Sequence, residues 1–231
     1  MDRVSKSSLN TFLQCQRKFY YSLLGTELEK TSPEMQYGTD FHKLLENYNN
    51  KMIKGDFQKE IKVDKEFLPT FNKYVEILGS LEKEGFKIIS SEFPIGAEGF
   101  FGFIDALFYD EKEKKYLILD FKTLTSSAYD KANIEKYRLE INFYIYLLSH
   151  FKNADYRNIL GGVVIFEQKG ERAELKYINN DIDKYYSNID EAKVMLEKLN
   201  KADGSPDEFP KVSEDKTDYA CRYCSFYNMC R

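Results

Sequence analysis

The sequence predicts an α/β protein, a central mixed sheet flanked by helices. Three observations predict it. Gly102–Thr123 (GFIDALFYDEKEKKYLILDFKT) reads as two apolar strands, Phe100–Phe108 and Tyr116–Phe121, joined by a charged turn. Apolar residues recur at helical spacing in Ser5–Leu24 before this hairpin and in Asn133–Phe151 after it. Two further β-rich runs, Asn158–Glu167 and Arg172–Ile178, follow and suit a pair joined across Gln168-Lys169-Gly170.

Taken in order, the chain opens on a helical segment at Ser5–Leu24. Its apolar stripe is Leu9, Phe12, Leu13, Phe19, Tyr20 and Leu23, with a serine cap at the start and Cys15 in the middle. Ser32-Pro33-Glu34 is a helix start with proline in the first turn. That helix is expected to reach about Met52, with a break near Gly38. His42 and Glu46 lie on it four apart and share a face. Lys54–Asp64 is polar and reads as a loop. Phe67, Phe71, Tyr74, Val75 and Leu78 mark a helix within Asp64–Glu84. Together, residues 53–85 are expected to be a helical insertion covering the active site. Phe86–Ile95 returns to strand character, with Glu92 expected as a half-exposed strand glutamate. Thr123–Lys131 is a Ser/Thr-rich loop whose hydroxyls and N–H groups suit a phosphate backbone. Asp181–Asn200 is a terminal amphipathic helix.

The 231 residues are expected to form a single domain with a cysteine-rich tail over 203–231. A 42% hydrophobic content supports a proper core, and 31% charged residues a polar surface. No run approaches the roughly 20 apolar residues of a membrane helix, and the N-terminal residues lack a signal-peptide core. An intracellular, cytoplasmic protein is expected. The net charge of −4 makes no global basic footprint for nucleic acid, but bound divalent cations would offset acidic residues locally. No G-x-x-x-x-G-K-[ST] loop is present, so the chain carries no motor of that type.

The chemistry concentrates in the hairpin. Strand alternation puts Asp120 and Lys122 side by side, on either side of Phe121. An unpaired carboxylate in a sheet costs several kcal/mol, so buried charges are paired or metal-bound. Asp105 and Asp120 on neighbouring strands, with Lys122 beside them, make a divalent-metal site with its own lysine; an exposed strand-end ion pair is the alternative. Asp110-Glu111-Lys112 repeats the D-x-K spacing in the turn and is expected to be solvated. Lys136 and Arg138 are candidate phosphate contacts or solvated helix charges. His150 suits a structural or helix-dipole role. Cys221, Cys224 and Cys230 are spaced C-x2-C-x5-C, and Cys15 is the fourth cysteine. Disulfides are disfavoured inside a cell, so four thiolates suit zinc or an iron–sulfur cluster.

These residues resemble the PD-(D/E)XK nuclease superfamily, which keeps an acid on one strand and (D/E)-x-K on the next. Asp105 and Asp120-Phe121-Lys122 match that pattern. Gly38-Thr39-Asp40-Phe41-His42 resembles the G-x-x-x-H context of the RecB-like branch, where the histidine joins the metal ligands. Tyr144 matches the tyrosine of that branch's Gln-x-x-x-Tyr motif, but Glu140 stands at the glutamine position. Glutamine donates and accepts hydrogen bonds, whereas a carboxylate only accepts. Glu140 therefore either pairs with a base such as Lys136 or adds a charge to the site. The family often has an acid or polar group near Glu92. Ser5–Tyr20 and the C-terminal cysteine triplet resemble the iron–sulfur RecB-like nucleases, of the AddAB type and of CRISPR adaptation.

The resemblance implies a restriction-endonuclease-like fold and a Mg²⁺- or Mn²⁺-dependent DNA nuclease, an exonuclease on single-stranded DNA or DNA ends. It implies that His42, Asp105, Asp120 and the Phe121 carbonyl hold one or two metals. It implies that Lys122 orients or activates the attacking water and stabilises the transition state, and that Tyr144 positions Lys122 or the substrate. It implies a 4Fe–4S cluster on Cys15, Cys221, Cys224 and Cys230 joining the two ends of the chain, with Zn²⁺ the alternative. The implied partners are DNA and recombination, replication or CRISPR-adaptation proteins. Two other classes stay open: a weakly active or inactive DNA-end-binding subunit of such a complex, and a zinc-stapled interaction module with no DNA role.

Overall fold

The computed structural model describes residues 4–24, 32–56, 61–179, 181–201, 205–213, 221 and 224–230. The chain divides into two compact units. One contains Met1–Lys30, Glu98–Phe101 and Asp183–Arg231, the other Thr31–Ala97 and Gly102–Ile182. Among the described residues no helix is long and apolar enough to cross a membrane.

In the first unit a short strand, β1 (Val4–Ser5), pairs in parallel with Phe100 and Phe101. Ser5 then caps helix α1 (Lys6–Gln14), its Oγ accepting from the Ser8 N–H at 3.2 Å. The single helix expected over Ser5–Leu24 is two helices. Cys15 is extended (φ −163°, ψ 112°) and breaks the run before α2 (Gln16–Leu23). Its sulfur accepts from the Lys18 N–H at 3.4 Å, satisfying one donor that a helix start leaves without a partner. The buried Arg17 donates through Nε to the Phe209 carbonyl at 2.7 Å. Tyr20 stacks on Phe209, and the Tyr21 hydroxyl donates to the Met229 carbonyl at 2.8 Å. These contacts hold the described part of the cysteine-rich tail on α2. The remainder of that tail lies outside the described residues.

The second unit is built on a mixed sheet. β2 (Lys87–Ala97) pairs with β3 (Phe100–Asp110) along its part in this unit. β3 runs antiparallel to β4 (Lys115–Leu124), β4 parallel to β5 (Ile159–Glu167), and β5 antiparallel to β6 (Ala173–Ile178). This is the mixed sheet flanked by helices that the pattern predicts, and the parallel β4–β5 step uses a helical crossover as it must.

Helix α3 (Pro33–Lys54) starts at Ser32, whose side chain caps Met35, and ends at left-handed Gly55. It is continuous through Gly38, where a break was expected, because a single helical glycine is tolerated. Helix α4 (Leu68–Lys83) lies within the region expected as an insertion. Its Phe71, Tyr74, Leu78 and Leu81 join Phe41 and Leu45 of α3 and Phe121 and Phe166 of the sheet in one buried core. A short helix, α5 (Ser126–Tyr129), sits in the Ser/Thr-rich loop. The long helix expected at Asn133–Phe151 opens as a 3-10 turn (Ile134–Tyr137) and continues as α6 (Arg138–Lys152), which is buried from Ile141 to Ser149. Gly161 of β5 leaves no room for a Cβ beneath Ile141, so α6 seats directly on the strand. The amphipathic helix expected at Asp181–Asn200 is α7 (Ile182–Lys201).

Asp110 departs from expectation. It is 5% exposed rather than solvated, because its Oδ1 accepts the Lys112 and Glu113 N–H groups at 2.8 and 3.1 Å and closes the hairpin turn.

At the end of β5, Glu167 is forked by Arg172 with two 2.8 Å hydrogen bonds, and Arg172 also reaches Asp130 at 2.7 Å. These bonds, helped by Ser126, hold the Glu167 carboxyl at about 2 against an ordinary 4.5. A carboxyl depressed in the folded state contributes stability that is complete above its unfolded value and is lost as pH falls toward the folded one. Wild-type stability minus that of Glu167→Gln is therefore expected to shrink between about pH 4.5 and pH 2. Chemical denaturation across that range measures it; a pH-independent difference refutes the assignment.

Candidate metal centre and lysine pocket

Three elements bring one donor each to a single point. His42 comes from α3, Glu92 from β2 and Asp105 from β3, all half-buried, with one ligand atom of each within 4.8 Å of the others. Gly38 explains the approach of α3: a Cβ there would stand 2.7 Å from Thr123 Oγ1 at the end of β4. One helical turn later the His42 ring meets Phe121 edge-on at 5.9 Å. Gly38→Ala is expected to be mild, since the Thr123 hydroxyl can rotate away. Gly38→Val is expected to lift α3 and lower metal-dependent cleavage about 100-fold, the scale of a 1 Å misplacement, as initial rates would report.

Glu92 reaches the group because its backbone is left-handed (φ 48°) inside β2. That conformation costs a non-glycine residue about 1–3 kcal/mol, and such strain gathers at functional sites. Expected as an ordinary half-exposed strand glutamate, it is instead the third member of the group. The family's acid or polar group near this position was the available signal; the left-handed backbone angle is not written in residue identities.

Asp105 is held by the sheet itself. The β3–β4 register runs from Asp110↔Lys115 to Ala106↔Leu119. Beyond it, the Phe121 N–H donates to Asp105 Oδ2 at 2.5 Å. The Asp105 carbonyl accepts from Ser91 Oγ at 2.9 Å, Asn49 Nδ2 donates to that hydroxyl at 3.4 Å, and the Tyr74 hydroxyl donates to Asn49 Oδ1 at 2.8 Å. Burial is the main cause that pushes the Tyr74 phenol well above its ordinary range, so it stays a neutral donor.

Asp120 and Lys122 project on either side of Phe121, as alternation requires. Phe121 joins the core with α3 and α4. Lys122 Nζ lies 2.8 Å from Asp120 Oδ2 and 2.7 Å from Glu140 Oε2 on α6. Asp120 is 2% exposed and falls outside the three-donor group. Glu140 pairs with Lys122, not with Lys136. The ring beneath Lys122 is that of Tyr137, at 5.6 Å, while Tyr144 packs against Gly102 of β3, where a Cβ would stand 2.8 Å from its ring. Lys136 Nζ caps the other approach to Tyr137 at 4.7 Å, and Arg138 is forked by Glu135 at 2.6 and 2.7 Å. His150 bonds through Nδ1 to the Tyr146 carbonyl at 2.9 Å, the structural role expected. Gly38, His42, Glu92, Phe121, Lys122 and Thr123 all line one open groove of about 810 Å³, which brings the lysine and two of the three donors, His42 and Glu92, to the same mouth.

The sequence matches the PD-(D/E)XK nuclease superfamily over residues 3–231. The chain belongs to the PD-(D/E)XK nuclease superfamily. Solved structures share the fold. SSO0001 is 18% identical with a TM-score of 0.52, the match covering 99% of this chain and 85% of that one. An Eubacterium rectale protein described as a "putative exonuclease" is 11% identical with a TM-score of 0.60, covering 100% of this chain and 88% of that one. No curated protein matches.

In this PD-(D/E)XK domain the donor set of one imidazole and two carboxylates fits a small divalent cation. Bonds of about 2.1 Å in an octahedral site place ligand atoms roughly 3–4 Å apart, inside the observed spread. The imidazole suits Mn²⁺ better than Mg²⁺.

The four cysteines are spread differently. Among the described residues no three of their sulfurs come within 4.8 Å of one another. Cys224 and Cys230 pack on the Tyr20–Tyr21–Phe209–Phe226 cluster, and Cys221 Sγ donates to the Ser213 carbonyl at 3.8 Å. Burial raises the Cys230 thiol above its ordinary range, with Cys224 and Cys15 near enough to add to it. A zinc tetrahedron with bonds of about 2.3 Å needs sulfurs about 3.8 Å apart. The thiols as placed do not make one.

Proposed function

We propose that this PD-(D/E)XK protein is a divalent-metal-dependent deoxyribonuclease, an exonuclease acting on single-stranded DNA or DNA ends. One observation carries the proposal: His42 and Glu92, which cluster with Asp105, line the same groove as Lys122. His42, Glu92 and Asp105 would hold Mn²⁺ or Mg²⁺, with Asp120 and the Phe121 carbonyl as the further ligands the family resemblance implies. The ion supplies a Lewis acid for the phosphate and an acidified water.

Lys122, ion-paired with two carboxylates, places its ammonium beside the place where phosphate charge develops. Glu140 gives that ammonium a second anchor besides Asp120. Tyr144, seated on Gly102, supports the strand that carries Asp105. Lys136 and Arg138 stand as phosphate contacts on the same helical approach.

The iron–sulfur RecB-like assignment is part of this proposal. It is supported by the Ser5–Tyr20 motif and by the approach of Cys15 and Cys224 to Cys230. The cluster would sit on Cys15, Cys221, Cys224 and Cys230. An intracellular setting and partnership with recombination or CRISPR-adaptation proteins go with that branch.

The test is a cleavage time course on 5′- and 3′-labelled single- and double-stranded DNA, with anaerobically purified protein, Mn²⁺, Mg²⁺ or EDTA, and metal analysis of the same sample. Metal-dependent ladders and about four irons per chain are expected. Iron-replete protein that binds DNA ends without cutting would replace this reading with the end-binding subunit. Zinc-loaded protein with no DNA affinity would replace it with an interaction module.

A further inference from the structure

β3 presents an exposed phenylalanine beside the metal group. From Phe100 to Ala106 the strand alternates buried and open positions, and Phe103 and Asp105 fall on the same open face. Phe103 is 50% exposed, while its neighbours Gly102 and Ile104 are buried. An isolated apolar side chain on a surface is ordinary. The position of this one is not: it stands two residues from the Asp105 carboxylate, about 7 Å along the strand. Among the described residues the other exposed phenylalanine is Phe151, whose ring is covered by Phe93 at 5.6 Å and by Lys152 at 5.4 Å. Phe103 has no ring partner among the described residues.

We propose that Phe103 is a stacking platform for an unpaired nucleobase adjacent to the phosphate at the metal centre. The inference rests on the nuclease reading and narrows its substrate to a single strand. An aromatic face binds any base, because every base has a π-face, and the gain is about 5- to 150-fold in affinity. Inside a duplex both faces of an internal base are already covered by its neighbours, so away from a blunt end the ring finds a free face only on an unpaired nucleotide. The strand fixes the ring relative to Asp105, so a base held there sets which phosphate reaches the donors. Platform and ligand sit on one rigid element, which favours precise registration.

The chain has no tryptophan, so Phe103→Trp places a single indole on this platform. Its emission is followed in EDTA, where cleavage is blocked, during titration with a single-stranded oligodeoxynucleotide. A covalently closed circular duplex, at equal nucleotide concentration, and oligonucleotides carrying one abasic site walked from the end are titrated in parallel. Single strands are expected to quench the indole, one abasic position to abolish quenching, and the closed circle to leave it unchanged. Phe103→Ala is expected to bind the single strand about 5- to 150-fold more weakly by anisotropy, with Phe103→Tyr restoring it. Equal quenching by the closed circular duplex, indifference to every abasic position, or unchanged binding by Phe103→Ala overturns the platform. Because these signals need no turnover, quenching in Phe103→Trp together with a wild-type protein that never cuts would refute the nuclease reading and leave the platform standing.

Discussion

Lys122→Ala is expected to lower metal-dependent cleavage by about 10²–10³-fold or more, the scale of losing one preorganised charge stabiliser. The effect belongs on turnover rather than substrate binding, because the ammonium sits among carboxylates and meets the phosphate only as charge develops there. The same change leaves Asp120, 2% exposed, and the largely buried Glu140 without the cation that lies within 2.8 Å of each. A buried acid that loses its partner costs several kcal/mol, or is neutralised by a raised pKa. The variant is therefore expected to melt lower than wild type without divalent ions and to recover part of the difference in Mn²⁺. Single-turnover cleavage and paired melting curves with and without Mn²⁺ report both effects. Substantial residual turnover would remove Lys122 from the reaction.

Asp105 carries two loads, and two substitutions separate them. In Asp105→Asn the amide oxygen still accepts the Phe121 N–H that Asp105 Oδ2 holds at 2.5 Å, but the anionic donor to a metal is gone. Its stability is expected to stay near wild type, while Mn²⁺ affinity and cleavage fall about 100-fold or more, as for other losses at metal sites. Asp105→Ala also orphans the Phe121 N–H, a further loss of about 1–3 kcal/mol. Calorimetric Mn²⁺ titration and denaturant melts distinguish the pair. Wild-type Mn²⁺ affinity in Asp105→Asn would disprove ligation, and equal stability of the two variants would disprove the strand-clamping role.

Much of the fold was legible because its signals are local. The hairpin could be read because charged residues rarely interrupt apolar strands without a partner. Helices α3 and α6 showed their periodicity, and the pairing of β5 and β6 followed from two β-rich runs around Gly170. Glu92 was legible only as a position near which the family often has an acid, since its place in the site depends on one left-handed residue inside a strand. Cys15 was read as mid-helix because the periodicity passes through it, whereas its extended backbone starts a second helix. Asp110 and Asp120 share the same D-x-K spacing, and only their neighbours separate a turn cap from an ion-paired pocket acid.

By itself the sequence determined the elements, the alternation that sets Asp120 and Lys122 astride Phe121, and the family motifs around His42, Asp105 and Asp120. Periodicity and the cost of burying charge act over a few residues, so they are written in the chain. Tertiary structure alone decided which donors converge and which acid anchors the lysine. His42, Glu92 and Asp105 come from three elements, and Glu140 meets Lys122 across a helix–sheet contact. Such meetings depend on how closely backbones approach, as where Gly38 lets α3 settle against Thr123, and packing over that distance is a property of the assembled fold.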